Sequence, residues 1–259
     1  MSLIPLTTLE WIMVGSAAML IGVSKAGFGA GAGILAIPIM TLVLKPSQML
    51  AITLPVLICG DIFSLVHYPK TRDLRNLAML VPGCLAGVGA GMLVLNWFLS
   101  LPAGETVMRK SVGGICTLFI FIQLYNWHRA KQEEDVVSAY HPAPWQGVGV
   151  GGIAGLTSTL AHAAGPVIAL FLLPQKLNRR LFVGTCVTYF FIGNLLKLVP
   201  YFREGLFTGQ TAGMSLALFP CVVAGTVVGA FLNKKMSDRI FTDIIYGLAF
   251  CTGVYLMLK

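Results

Sequence analysis

Gly27-Phe28-Gly29-Ala30-Gly31-Ala32-Gly33, followed by Ile34-Leu35-Ala36-Ile37-Pro38, parts two apolar runs that are otherwise continuous. The first run, 9–27, is long enough to cross the hydrocarbon core of a bilayer; the second, 30–44, is short for that task. Gly27, Gly29, Gly31 and Gly33 weaken a helix and let backbones come close. Two readings follow. The stretch is a small-residue surface for helix packing, or it is a helix break whose free N–H groups line an anion site. A phosphate-gripping nucleotide loop is excluded, because no G-x-x-x-x-G-K-[ST] pattern or strand–helix alternation accompanies it.

Outward from this break the chain is apolar almost throughout. Further runs occupy 49–67, 77–99, 107–127, 145–163, 164–174, 181–200, 208–233 and 240–258. Only 11% of the 259 residues are charged and 56% are hydrophobic, against about 25% charged in a soluble chain. Run length and the absence of period-two alternation predict helices rather than membrane strands. The expectation is an all-α polytopic membrane protein, multi-pass in a bacterial or archaeal cytoplasmic membrane, with 8–10 membrane segments and lipid as its surroundings. Trp11, Trp97, Trp127 and Trp145 lie near run ends, as interface anchors do. The segment before the first run lacks Lys and Arg, so that run is read as a mature membrane element rather than a signal peptide.

The net charge of +8 does not point to nucleic acid, because Lys and Arg sit mainly in short connections. If every run is a separate pass, one side carries Lys70, Arg72, Arg75, Arg129, Lys131, Lys176, Arg179, Arg180, Lys234, Lys235 and Arg239. The other side then carries Lys45, Arg109, Lys110, Arg203 and Lys259. If 30–44 and 164–174 re-enter beside their predecessors, the asymmetry nearly vanishes. The positive-inside rule favours the first count, with both termini outside the cytoplasm. Cys59, Cys84, Cys116, Cys186, Cys221 and Cys251 stand singly in apolar runs, with no CxxC and no His/Cys cluster. No metal, cofactor or catalytic constellation is indicated, so an enzyme is not expected.

An internal repeat is visible. A shift of 133 residues lays 22–70 on 155–203 without a gap and matches Gly22 with Gly155, Ala30 with Ala163, Gly60 with Gly193 and Tyr68 with Tyr201. Pro82, Ala86, Gly87 and Gly91 match Pro220, Ala224, Gly225 and Gly229 at a shift of 138. The expected organisation is a first repeat over 1–127, a polar connecting loop over 128–144 and a second repeat over 145–259. Five passes per half would invert the second repeat relative to the first, with broken or short helices near mid-membrane and substrate between the halves.

Ionisable and polar residues inside such runs are costly and mark pathways or sites. Lys25 and Lys197 are candidates to hold an anion, with snorkelling from a helix end as the plain alternative. Under the 133-residue shift Lys25 faces Ser158 and Lys197 faces Ser64, so each half supplies one lysine. Asp61 falls on Asn194, each directly after a glycine. A buried carboxylate needs a partner or a proton, which makes Asp61 a proton-coupling candidate or an ion-pair partner for Lys25. His162 is a relay candidate or a structural histidine. Thr157, Ser158 and Thr159 offer hydroxyls to an oxyanion, although membrane-helix hydroxyls more often bond a neighbouring carbonyl. His67, beside Tyr68, reads as interfacial.

Gly31-Ala-Gly-Ile-Leu-Ala-Ile-Pro38 resembles the small-residue–Pro signature of the sulfite exporter TauE/SafE family, and Met49-Leu-Ala-Ile-Thr-Leu-Pro55 looks like its next element. Ala164-Gly-Pro-Val167, then Gly184-Thr185, resembles the matching signature of the second half. The likeness covers nearly the whole chain. Ala32 replaces a glycine of the usual triplet, and Ala161-His-Ala-Ala164 stands where many members are richer in glycine. The resemblance implies a secondary transporter of small sulfur-containing or organic anions (sulfite, sulfonate or sulfoacetate-like) working by alternating access, with protons as a coupling partner. Taken with the residue reading, it gives an expected substrate site of Gly29, Gly31, Gly33, Thr53, Gly165 and Thr185 with Lys25, Thr157, Ser158, Thr159, His162, Asn194 and Lys197. The competing readings are a small-anion channel and a membrane assembly or interaction protein.

Overall fold

The computed structural model describes residues 3–27, 36–67, 71–130 and 142–235. Among these the chain is all helical: α1 Thr8–Gly27, α2 Ala36–Val43, α3 Pro46–His67, α4 Leu74–Ser100, α5 Gly104–Ala130, α6 Pro144–Ala161, α7 Gly165–Leu172, α8 Arg179–Arg203 and α9 Gly209–Lys235. Gly29, Gly31, Gly33 and the apolar run 240–258 lie outside the described residues, as does most of the connecting loop 128–144.

Short polar signals start the helices. Thr7 and Glu10 open α1 with a reciprocal pair: the Thr7 N–H donates to Glu10 Oε2 at 2.7 Å, and the Glu10 N–H to Thr7 Oγ1 at 3.3 Å. Asp73 caps α4 by accepting from the Asn76 N–H, and Asn178 caps α8 by accepting from the Leu181 N–H. The N-terminus of α3 is capped from another helix, because Glu105 of α5 accepts from both the N–H and the hydroxyl of Ser47.

Among the described residues five stretches are long and apolar enough to cross a membrane: Thr8–Gly27, Pro46–Val66, Leu74–Ser100, Arg180–Arg203 and Gly209–Leu232. Val66, Leu93 and Phe202 turn outward. In water such a surface would be a large sticky patch; against lipid it is the expected exterior. The chain is a multi-pass membrane protein.

α1 packs chiefly on α9, and α4 on α6, while α3 lies between α8 and α9 and touches both. The two main seams are closed by glycine. On α4, Gly83 and Gly87 face backbone oxygens of Val148 and Gly152 so closely that no Cβ fits; on α6, Gly151 and Gly155 face Leu80 and Cys84 in the same way. Gly22 and Gly225 do this for α1 and α9, against Val222 and Met19. Lipid supplies no hydrophobic drive between helices, so this close backbone approach and its dispersion contacts hold them together.

The second short run, 164–174, holds less α-helix than its length allows, and the first is described only from residue 36 onward. α7 fills eight residues of 164–174 before a 3₁₀ turn at Leu173–Gln175. Eight residues rise about 12 Å, well under a hydrocarbon core of about 30 Å. α6 stops at Ala161 because His162 takes a left-handed conformation (φ 47°), its N–H turning back to the carbonyls of Ser158 and Thr157.

Candidate functional site

Lys25 sits in the last turn of α1, where a cation complements the helix dipole. Its ammonium forms an ion pair with Oδ1 of Asp61 on α3 and lies 5.3 Å from the centre of the Phe190 ring. The second carboxylate oxygen, Oδ2, accepts from Asn194 Nδ2 of α8 at 2.7 Å. Asp61 is fully buried and Lys25 is buried to within a few per cent. This corner is closed: both carboxylate oxygens are occupied, and the one cation touching them is matched by the one anion.

One turn beyond Asn194, on the same face of α8, lies Lys197. It does not snorkel; its relative exposure is 0%. Its Nζ donates to the backbone oxygen of Ser158 at 3.3 Å and to the Ser158 hydroxyl at 2.9 Å, and lies 3.0 Å from His162 Nδ1. On the far side of the ring, His162 Nε2 is 3.1 Å from the Leu50 carbonyl of α3. A carbonyl only accepts, so Nε2 carries the hydrogen and Nδ1 presents its lone pair to Lys197. Three acceptors then surround Nζ, the number an ammonium can serve, and all three are neutral.

The left-handed turn at His162 makes this arrangement possible. It ends α6 and brings the imidazole between α3 and α8 instead of continuing the helix. Tyr201, on the Lys197 face of α8, donates its hydroxyl to the Thr159 carbonyl at 2.6 Å and fixes the same end of α6. Lys25, Asp61 and Lys197 also act on one another electrostatically. They form one buried cluster with two cations and one anion, and no other buried Lys, Arg, Asp or Glu occurs among the described residues.

The remaining candidates divide. Lys25, Asp61, Ser158, His162, Asn194 and Lys197 are brought together. The Thr157 hydroxyl donates to its own helix at Ile153 O and Ala154 O and also to Ala163 O, and Thr159 donates to Gly155 O. Both are engaged in shaping the end of α6. Thr53 donates to Met40 Sδ at 3.2 Å and lies about 12 Å along α3 from Asp61. Thr185 donates to Leu181 O and accepts from the Asp73 N–H, which ties the start of α8 to the start of α4. Gly165 opens α7, three residues past His162.

Sequence reasoning missed Leu50, whose carbonyl fixes the histidine tautomer, and Phe190 beside Lys25. No residue-type pattern marks a backbone oxygen. It also passed over the glycine seams, which four-residue spacing at Gly83, Gly87 and Gly91 and at Gly147, Gly151 and Gly155 does signal. Among the described residues no group of three or more His, Cys, Asp and Glu is placed to hold a metal ion.

No individually curated protein and no solved structure matches the chain. The family profile described as sulfite exporter TauE/SafE matches residues 14–256, a range that takes in every element of the cluster. The chain belongs to the sulfite exporter TauE/SafE family, a family of transporters.

Proposed function

We propose that this protein is a secondary transporter of small sulfur-containing or organic anions, of the sulfite, sulfonate or sulfoacetate kind, working by alternating access at the buried cluster. The observation that carries the reading is Lys197: a fully buried lysine whose hydrogen-bond partners are all neutral. An uncompensated cation inside a membrane protein is costly, and a small anion supplies the missing charge. The site is sealed as described, so cargo reaches Lys197 only after helices part.

Two halves, 1–127 and 145–259, the second inverted relative to the first, fit the packing. Exchanging α1 for α6, α3 for α8 and α4 for α9 turns the α1–α9 seam into the α6–α4 seam, and the α3–α9 contact into the α8–α4 contact. Asp61 and Asn194, 133 residues apart, hydrogen-bond directly to each other, as repeat mates do near an axis relating two copies. Asp61 is the only carboxylate of the cluster and therefore its proton carrier, if coupling is to protons.

Reconstitution into liposomes tests this. Saturable uptake of sulfite, sulfoacetate, taurine or a carboxylate, with counterflow, is the expected result. A pH gradient should drive the wild type and leave D61N unaffected. Conductance without counterflow would make the protein a channel, and no flux of any anion under any gradient overturns the anion reading.

A further inference from the structure

Resting on that reading, we infer that Asp61 fixes the charge of the cargo: with Asp61 ionised, the site is built for an anion carrying a single negative charge. The buried Lys, Arg, Asp and Glu side chains of the described residues are Lys25, Lys197 and Asp61. With all three ionised, two cations and one anion leave one positive charge unmatched. The sequence after α1, residues 28–35, is Phe-Gly-Ala-Gly-Ala-Gly-Ile-Leu and contains no ionisable group. A monoanion against Lys197 makes the buried cluster neutral, whereas a dianion leaves a net charge of −1 in surroundings that screen it poorly.

The geometry separates the roles. Lys25 is taken up by Asp61 Oδ1, and Asn194 by Oδ2, so the unmatched charge belongs to Lys197. Asn194 matters by what it is not: an aspartate in the same place would match the second lysine and leave no electrostatic demand for cargo. One carboxylate among two repeat-related positions is thus a specificity device, and its count can be changed without changing the shape of the site.

Methanesulfonate and sulfate make the probe pair. They are similar in size and tetrahedral shape, and differ by one unit of charge that ordinary pH does not alter. Binding of each to the purified protein is measured at one fixed, mildly acidic pH, where Lys197 keeps its proton. Wild type should prefer methanesulfonate, and D61N, which raises the site's charge by one, should move the ratio towards sulfate by roughly tenfold or more. N194D, which lowers it by one, should move the ratio the other way and weaken both anions; it serves as the second arm if D61N does not fold. Equal binding of the two probes by wild type overturns the inference. An unchanged ratio in a folded variant that still binds anions also overturns it and leaves the anion carrier standing. Absence of binding and of flux for every anion overturns the carrier itself.

Discussion

The two ends of the buried cluster stand at positions that the 133-residue sequence shift lays on one another, and they carry opposite solutions. At one end Lys25 and Asp61 are charged and matched; at the corresponding positions of the other half stand Ser158 and Asn194, both neutral. Lys197, the charged residue there, corresponds to Ser64, whose hydroxyl donates to Gly60 O within its own helix. The sequence positions correspond, and the charges are divided. The difference teaches that the balanced end holds helices together, while the unbalanced end is the part with something left to bind.

The sharpest way to break this contrast is K197M. Removing the unmatched cation should abolish saturable anion uptake, a loss of about a hundredfold or more, with little loss of thermal stability, because no buried carboxylate is left unpaired. Flux in liposomes, read beside a melting curve in detergent, checks both halves of the statement. K25M should do the reverse to stability. It strands Asp61, and breaking a buried pair from one side costs about 3–5 kcal/mol. The double variant K25M/D61N should recover most of that loss, and a melting-point cycle over the four proteins measures it.

Smaller effects sharpen the contrast by showing what lies outside it. G87V sets side-chain atoms against Gly152 across the α4–α6 seam and should cost about 1–3 kcal/mol, visible as a lower melting point. Asn76 and Gln175 bond through both amide groups, at 2.8 and 3.1 Å, joining α4 to the turn after α7. N76A should cost about 0.6–1.7 kcal/mol and leave the affinity for anions unchanged in a binding titration.

Much of the scaffold was legible because lipid imposes a strong rule: runs of apolar residues become helices. Nine of the ten runs contain the helices described, and the tenth, 240–258, lies outside the described residues. The end of α6 and the length of α7 were not legible, because run hydrophobicity says nothing of where a backbone turns. His162 shows why. A left-handed residue is expected of glycine, and here a histidine takes that conformation, so the end of α6 carried no sign in composition. Lys25, Asp61 and Lys197 could be singled out as costly charges, and pairing Lys25 with Asp61 was among the available readings. That Lys197 would meet a serine, a histidine and no carboxylate depended on three helices crossing, which spacing along one strand of sequence does not encode. The threonines at 157 and 159 illustrate the converse: their hydroxyls look available in sequence and are engaged with carbonyls close by in the chain.

The glycine seams carry one more consequence. α1 lies on α9 and α6 on α4, so each seam joins a helix from before the connecting loop to one from after it. Neither half could be detached as a self-sufficient module, for each would expose a bare groove fitted to a missing neighbour. Expressed as two separate pieces, the stretches before and after the connecting loop would have to find each other across these seams before either was complete.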